Sequence, residues 1–175
     1  MLQLETERLV LRQWKPADLP LFIEMNKDKE VMRYFPSTLT DAETIQFYER
    51  IVAEFEQKGY GLFAIELKCN GKFIGYTGLH EIGFEAAFSP GVEIGWRLAA
   101  AYHNCGYATE AACAVIGYAQ TLGIKKLYSF TASVNKPSER VMQKIGMQKT
   151  GEFLHPKLED VSPLKAHVLY SLDLI

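Results

Sequence analysis

The stretch with the most chemical content runs Val92-Glu93-Ile94-Gly95-Trp96-Arg97-Leu98, then Tyr102-His103-Asn104-Cys105-Gly106-Tyr107-Ala108-Thr109-Glu110-Ala111. A strand leads through a loop into a helix that starts Gly-x-Ala. The first turn of a helix leaves backbone N–H groups unpaired. The macrodipole adds partial positive charge at the same end. Such an end suits phosphate oxygens. Gly106 and Ala108 keep side chains small where a pyrophosphate must approach the backbone. A tight strand-to-helix turn with no ligand uses the same residues, and the stretch alone leaves both readings open. Neither the Walker lysine spacing nor G-x-G-x-x-G is present, which argues against a nucleotide-binding α/β protein. Cys105 lies in the loop without the His/Asp partner pattern of a covalent acyl-enzyme.

The bulk properties narrow the classes further. The chain has 175 residues, about one domain's worth, so a single domain over residues 1–175 is expected. That length buries roughly two-thirds of the unfolded surface, and no disulfide or metal staple is needed. Hydrophobic residues are 48% and charged residues 23%, which excludes a disordered chain. The net charge of −2 offers no broad basic footprint for nucleic acid. Cys69, Cys105 and Cys113 are an odd set without paired spacing, which argues against a disulfide framework. No C-x-x-C and no His/Cys cluster points to zinc, so no metal is expected. The start Met1-Leu2-Gln3-Leu4-Glu5 lacks the basic, apolar pattern of a signal peptide. No apolar run has the length of a membrane span. The expectation is a cytoplasmic, reduced protein.

These residues need elements to hold them. Leu4 to Trp14 reads as a first strand, and Pro16-Ala17-Asp18 opens a helix running to about Asn26. Thr40 with Glu43 forms a capping box for a second helix, which Gly59 ends. Gly61 to Leu67 and Lys72 to Leu79 flank a turn at Asn70-Gly71, a hairpin signal. Val92 to Leu98 is a strand, Gly106 to Leu122 a helix, Lys126 to Ala132 a strand, and Pro137 to Ile145 a short helix. Met147 to Phe153 and Lys165 to Leu174 close the set as strands. Gly75 and Gly78 read as strand-packing or bulge sites. The order implies a mixed α/β sheet, mostly antiparallel, with helices on its faces.

Gly106-Tyr107-Ala108-Thr109-Glu110-Ala111 after Glu93-Ile94-Gly95-Trp96 resembles the acetyl-CoA pyrophosphate loop of GNAT acetyltransferases, and within them the RimJ/RimL-like branch of ribosomal-protein N-terminal acetyltransferases. Asn135-Lys136-Pro137-Ser138-Glu139-Arg140-Val141-Met142-Gln143-Lys144-Ile145-Gly146-Met147 resembles that branch's second signature. Thr6-Glu7-Arg8-Leu9-Val10-Leu11-Arg12 and His167-Val168-Leu169-Tyr170-Ser171-Leu172 resemble its end strands. The likeness spans nearly the whole chain in the right order. One departure stands out. The family loop usually reads Gln/Arg-x-x-Gly-x-Gly/Ala with a basic residue between, whereas this chain has His103, Asn104 and Cys105 there.

The resemblance implies a sheet of six to seven strands with about four helices, acetyl-CoA as co-substrate, and direct attack of an amine on the thioester. It implies that Trp96, Arg97, Leu98, His103, Asn104, Cys105, Gly106, Tyr107, Ala108 and Thr109 meet the cofactor, with an oxyanion donor around Arg97 and Leu98. Ser138 holds the place of a candidate general acid, or is a serine suited to a helix's first turn. Asn135 contacts the cofactor arm or a water, or caps the helix. Glu93 takes the amine's proton through water, or is a solvated strand glutamate. Tyr34 and Phe35 line the acceptor cleft, or anchor the core. His80, Glu81 and His155 receive no role. A protein α-amine has a pKa near 8, so roughly a tenth is neutral at pH 7, and a weak base suffices. The implied acceptor is a protein or peptide N-terminus. The alternatives are a small amine such as a polyamine, an amino acid derivative or an aminoglycoside, and a non-catalytic acyl-CoA-binding module. Monomer and homodimer remain equal expectations.

Overall fold

The alternating runs assemble into one eight-stranded sheet, ordered β1-β2-β3-β4-β5-β6-β8-β7, in a computed structural model that describes residues 2–175. The strands are β1 (Gln3–Glu5), β2 (Leu9–Arg12), β3 (Leu62–Leu67), β4 (Phe73–Glu81), β5 (Val92–Leu98), β6 (Lys126–Ala132), β7 (Gln148–Leu154) and β8 (Ala166–Asp173). The helices are α1 (Leu19–Lys27), α2 (Asp41–Lys58), α3 (Tyr107–Thr121) and α4 (Lys136–Lys144). All neighbouring strands run antiparallel except β5 and β6. The expected mixed α/β architecture is therefore present, with four helices and one strand more than anticipated.

The extra strand comes from the N-terminal run, which breaks at Thr6. The Thr6 N–H donates to Leu9 O, and the Leu9 N–H donates to the Thr6 hydroxyl, both at 3.0 Å. Glu110 on α3 holds this turn from outside. Its Oε1 accepts from the Thr6 hydroxyl at 2.6 Å and from the Arg8 N–H at 2.9 Å. The partner lies about a hundred residues away, so no local pattern announces the break.

β3 and β4 are buried on both faces, as central strands with helices on either side should be. Tyr76 looks toward α1 and α2, where Phe22 and Phe47 pack edge-on to its ring. Phe63 looks the other way, against Tyr118 of α3. The small stripe Ala111, Ala112, Val115 and Ala119 lets α3 lie close on β4 and β5. Arg12 ties β2 to the turn before α1: two nitrogens pair with Asp18 at 2.8 Å each, and Nε pairs with Glu66 at 2.6 Å. The Asp18 hydrogen bond raises the Arg12 pKa more than burial lowers it.

Candidate active site

β5 and β6 share only two register pairs, Val92 with Leu127 and Glu93 with Tyr128. Beyond them β5 continues to Leu98 along β4, while β6 continues to Ala132 along β8. The two strands thus part toward their C-terminal ends and leave a cleft in the sheet. Strand N–H groups alternate between the two edges. The Ala99 N–H goes to Ile74 O just beyond the β4 ladder. By alternation the Arg97 and Gly95 amides face β4, and the Trp96 and Leu98 amides face the cleft. This puts the Arg97 backbone on the β4 side and the Trp96 and Leu98 amides on the cleft side, rather than Arg97 and Leu98 together.

α3 begins at the mouth of this cleft. Its first backbone bond runs from the Glu110 N–H to Gly106 O. The amides of Tyr107, Ala108 and Thr109 lie ahead of that bond, and no side chain caps the helix. Gly106 has φ +80° and Asn104 φ +58°. Two left-handed residues so close together curl the loop; Gly106 takes this conformation without a Cβ penalty, and Asn104 is one of the few other residue types that visit it. His103 Nε2 lies 2.9 Å from Leu98 O, which fastens the loop to the end of β5. The Cys105 thiol donates to His103 O at 3.3 Å.

Arg8 sits beside this helix start, a residue the sequence reading gave no site role. Its Nε pairs with Glu110 at 2.6 Å, its Nη1 donates to Cys105 O at 3.0 Å, and its guanidinium lies 4.3 Å from the centre of the Tyr107 ring. A Cβ on Gly106 would come within 3.3 Å of Arg8 Nη2. The basic group missing from the loop sequence is thus placed next to the loop by the turn between β1 and β2.

α4 begins on the opposite wall, after β6. Asn135 is buried, with Oδ1 accepting from the Ser138 N–H at 3.3 Å and Nδ2 donating to the Thr131 hydroxyl at 2.9 Å. Its side chain is the helix cap. Ser138 is half-buried in the first turn, and its hydroxyl has no hydrogen-bond partner among the described residues.

The sheet face under α1 and α2 carries the remaining groups. His80 and Glu93 are register partners on β4 and β5, with Nε2 and Oε2 3.1 Å apart. Glu93 is 13% exposed and His80 37%. Burial pushes the imidazole pKa down, the Glu93 hydrogen bond and charge push it up, and the net direction is up. Gly78 and Gly95 are the next same-face pair, then Tyr76 and Arg97. Above Gly95 an added Cβ would meet only Glu93 Oε1, at 3.9 Å. A bare floor therefore separates a His–Glu pair from an arginine.

Arg97 points away from the loop expected to hold its ligand. Its Nη1 donates to Oδ1 of the fully buried Asn26 at 2.8 Å. Its guanidinium lies 4.4 Å from the Phe35 ring centre and 5.3 Å from that of Tyr76. Its Nε is buried without a partner among the described residues, a condition that costs about 1–3 kcal/mol when nothing answers it. Phe35 is 40% exposed and covers the arginine instead of entering the core. Tyr34 is half-buried beside Arg33.

The fold thus gathers Trp96, Leu98, His103 to Thr109, Asn135 and Ser138 around one cleft. Glu93, Arg97 and Phe35 lie on the face beside it. His80 and Arg8 were missed because their partners lie across strands or helices. A separate aromatic wall of Phe84, Phe88, Phe130 and Phe153 encloses His155, whose pKa burial and the neighbouring His167 push down to about 4. The three cysteines are free and exposed. No helix among the described residues is long and apolar enough to cross a membrane.

Residues 8–148 match the family model described as the acetyltransferase (GNAT) domain. The chain is 29% identical over 154 residues to YnaD of Bacillus subtilis, an uncharacterized N-acetyltransferase, covering 87% of this chain and 86% of that one. The GNAT-family acetyltransferase of Bacillus anthracis superposes with a TM-score of 0.80 at 26% identity, covering 98% of both chains. RimL, the ribosomal L7/L12 alpha-N-protein acetyltransferase in complex with coenzyme A, superposes with a TM-score of 0.81 at 15% identity, over 99% of this chain and 98% of that one. The last likeness is one of fold.

Proposed function

The chain belongs to the GNAT family of N-acetyltransferases, and we propose that it moves the acetyl group of acetyl-CoA directly to the N-terminal α-amine of a protein or peptide. We assign residues 1–175 to one GNAT-type domain of the RimJ/RimL-like branch, working in the cytoplasm. The observation that carries the donor is the uncapped start of α3 at the mouth of the β5–β6 cleft. Amides at that start bind the pyrophosphate, with Arg8 alongside adding positive charge.

The chemistry follows from the cleft walls. The amine lone pair attacks the thioester carbon from the face that carries Glu93. The carbonyl oxygen takes up negative charge as the C–N bond forms. The Trp96 or Leu98 amide stabilises it, and donors fixed in advance at such a point contribute roughly 3–4 kcal/mol. Glu93, paired with His80, takes the amine's proton through water. The C–S bond then breaks, and the Ser138 hydroxyl hydrogen-bonds the departing sulfur. Asn135 acts through α4, holding that serine in place.

The test is thiol release from acetyl-CoA with two acceptor panels, short peptides with free α-amines and small polyamines or aminoglycosides. Faster release with peptides is expected. Faster release with the small amines makes the enzyme a small-molecule acetyltransferase, and release with neither leaves an acyl-CoA-binding module.

A further inference from the structure

We propose that Arg97 is a specificity-determining residue that reads a carboxylate on the acceptor, so that the preferred acceptors are peptides with an acidic side chain next to the N-terminal residue. This rests on the peptide reading above and names the class of peptide.

Three observations on one strand face carry it. The first is the half-used guanidinium. Asn26 engages Nη1 alone, and Nε is buried with no partner. The Nε–Nη2 edge is one of the two edges by which arginine grips a carboxylate with two parallel bonds. Buried polar atoms in folded proteins are rarely left unanswered, so an orphaned cationic donor calls for an explanation. The second is the position. Glu93, Gly95 and Arg97 alternate onto the same face, with Gly95 open above. Two residues of strand span about 7 Å. An amine over Gly95, within water-mediated reach of Glu93, therefore has Arg97 about one to two residues of extended peptide away, at about 3.5 Å per residue. The third is the cover. Phe35 lies over the guanidinium but remains 40% exposed. Phe35 and Tyr76 exclude water around the charge, which strengthens a pair formed there. A cation at this place repels polyamines and aminoglycosides, so it selects against the small cationic acceptors as it selects for acidic peptides.

The structural alternative is that Arg97 only fastens Asn26 and the α1–α2 connection. The two roles separate by specificity, because a fastening role affects all acceptors alike. The acceptors are the C-terminally amidated peptides Ala-Glu-Ala-Ala, Ala-Gln-Ala-Ala and Ala-Lys-Ala-Ala, and free glutamate serves to tell a peptide side chain from a free amino acid. The wild-type enzyme should show kcat/KM at least about tenfold higher for the glutamate peptide than for the glutamine one, and lowest for the lysine one. In Arg97→Gln the preference for glutamate over glutamine should collapse to near unity, mostly through KM, with acetyl-CoA affinity kept. Arg97→Lys should restore part of the preference, since it keeps charge without the forked geometry. Equal rates on the three peptides in the wild-type enzyme overturn the proposal while leaving peptide acetylation standing. An equal fall on all three in Arg97→Gln also overturns it. Free glutamate outpacing every peptide overturns the peptide class, and no turnover of any peptide defeats the functional reading itself. If Arg97→Gln fails to fold, Phe35→Ala replaces it. Removing that exposed ring wets the guanidinium and should cut the glutamate preference severalfold, and an unchanged preference overturns the proposal.

Discussion

The starts of α2 and α3 are built to opposite ends. At α2 the Thr40 hydroxyl accepts from the Glu43 N–H at 3.2 Å, and the Glu43 carboxylate accepts from the Thr40 N–H at 2.7 Å. The bond from the Thr40 N–H, and a second donated by the Thr40 hydroxyl at 3.0 Å, hold the Glu43 carboxyl below its usual pKa. The positive end of that helix is answered within four residues of sequence. At α3 the cap residue is a glycine with no side chain. The one acid in its first turn, Glu110, is engaged by Thr6 and Arg8 on its own flank. A closed start serves stability and an open one serves a ligand. α4 combines both, since Asn135 closes its backbone while the Ser138 hydroxyl stays free.

That contrast can be broken at several points. The largest effect is expected at Gly106→Pro. Proline fixes φ near −65° where the chain needs +80°. Acetyl-CoA affinity by calorimetry should fall by about 100-fold, or about 2.7 kcal/mol, and unchanged affinity sinks the loop assignment. Ser138→Ala should lower kcat by about tenfold or more and leave acetyl-CoA binding nearly intact. Equal turnover would make Ser138 a helix-start residue only. Arg8→Gln comes next. It should weaken acetyl-CoA severalfold at low salt, with the difference shrinking as ionic strength rises; a salt-independent loss points instead to the Glu110 clamp. Thr40→Ala is the smallest. It should cost about 1 kcal/mol of stability, a fall in Tm of roughly 3 °C. Acetyl-CoA affinity should not move, and if it does, the closed start of α2 is not separate from the site.

What sequence made legible divides along the same line. The Thr40–Glu43 box, the Asn70-Gly71 turn, the Gly59 stop and the α3 loop are local, and each rests on residues within a few positions of one another. Cross-strand facts were not legible. β4 and β5 are joined by the stretch 82–91, too long to fix a register, so the pairing of His80 with Glu93 could not be read. Glu93 stands out in the sequence by its place before Ile94-Gly95-Trp96, and nothing local names its partner. The resemblance sets Arg97 at the cofactor together with Trp96 and Leu98, and only strand alternation turns its amide to β4 and its side chain to Asn26. The split of the first strand depends on Glu110, and the charge beside the loop depends on Arg8.

The narrow seam between β5 and β6 has a consequence for the life of the protein. Five strands on one side and three on the other share a ladder of only two residue pairs. A donor bound in the cleft, as proposed, would touch both sides and act as a keystone. Its binding adds stability by mass action, about 2.7 kcal/mol at a hundred times Kd. Amide hydrogens along the open edges of β5 and β6 then exchange more slowly, and the two sub-sheets melt as one. On the proposed function, the folded lifetime of this protein is thereby tied to the supply of its acyl donor.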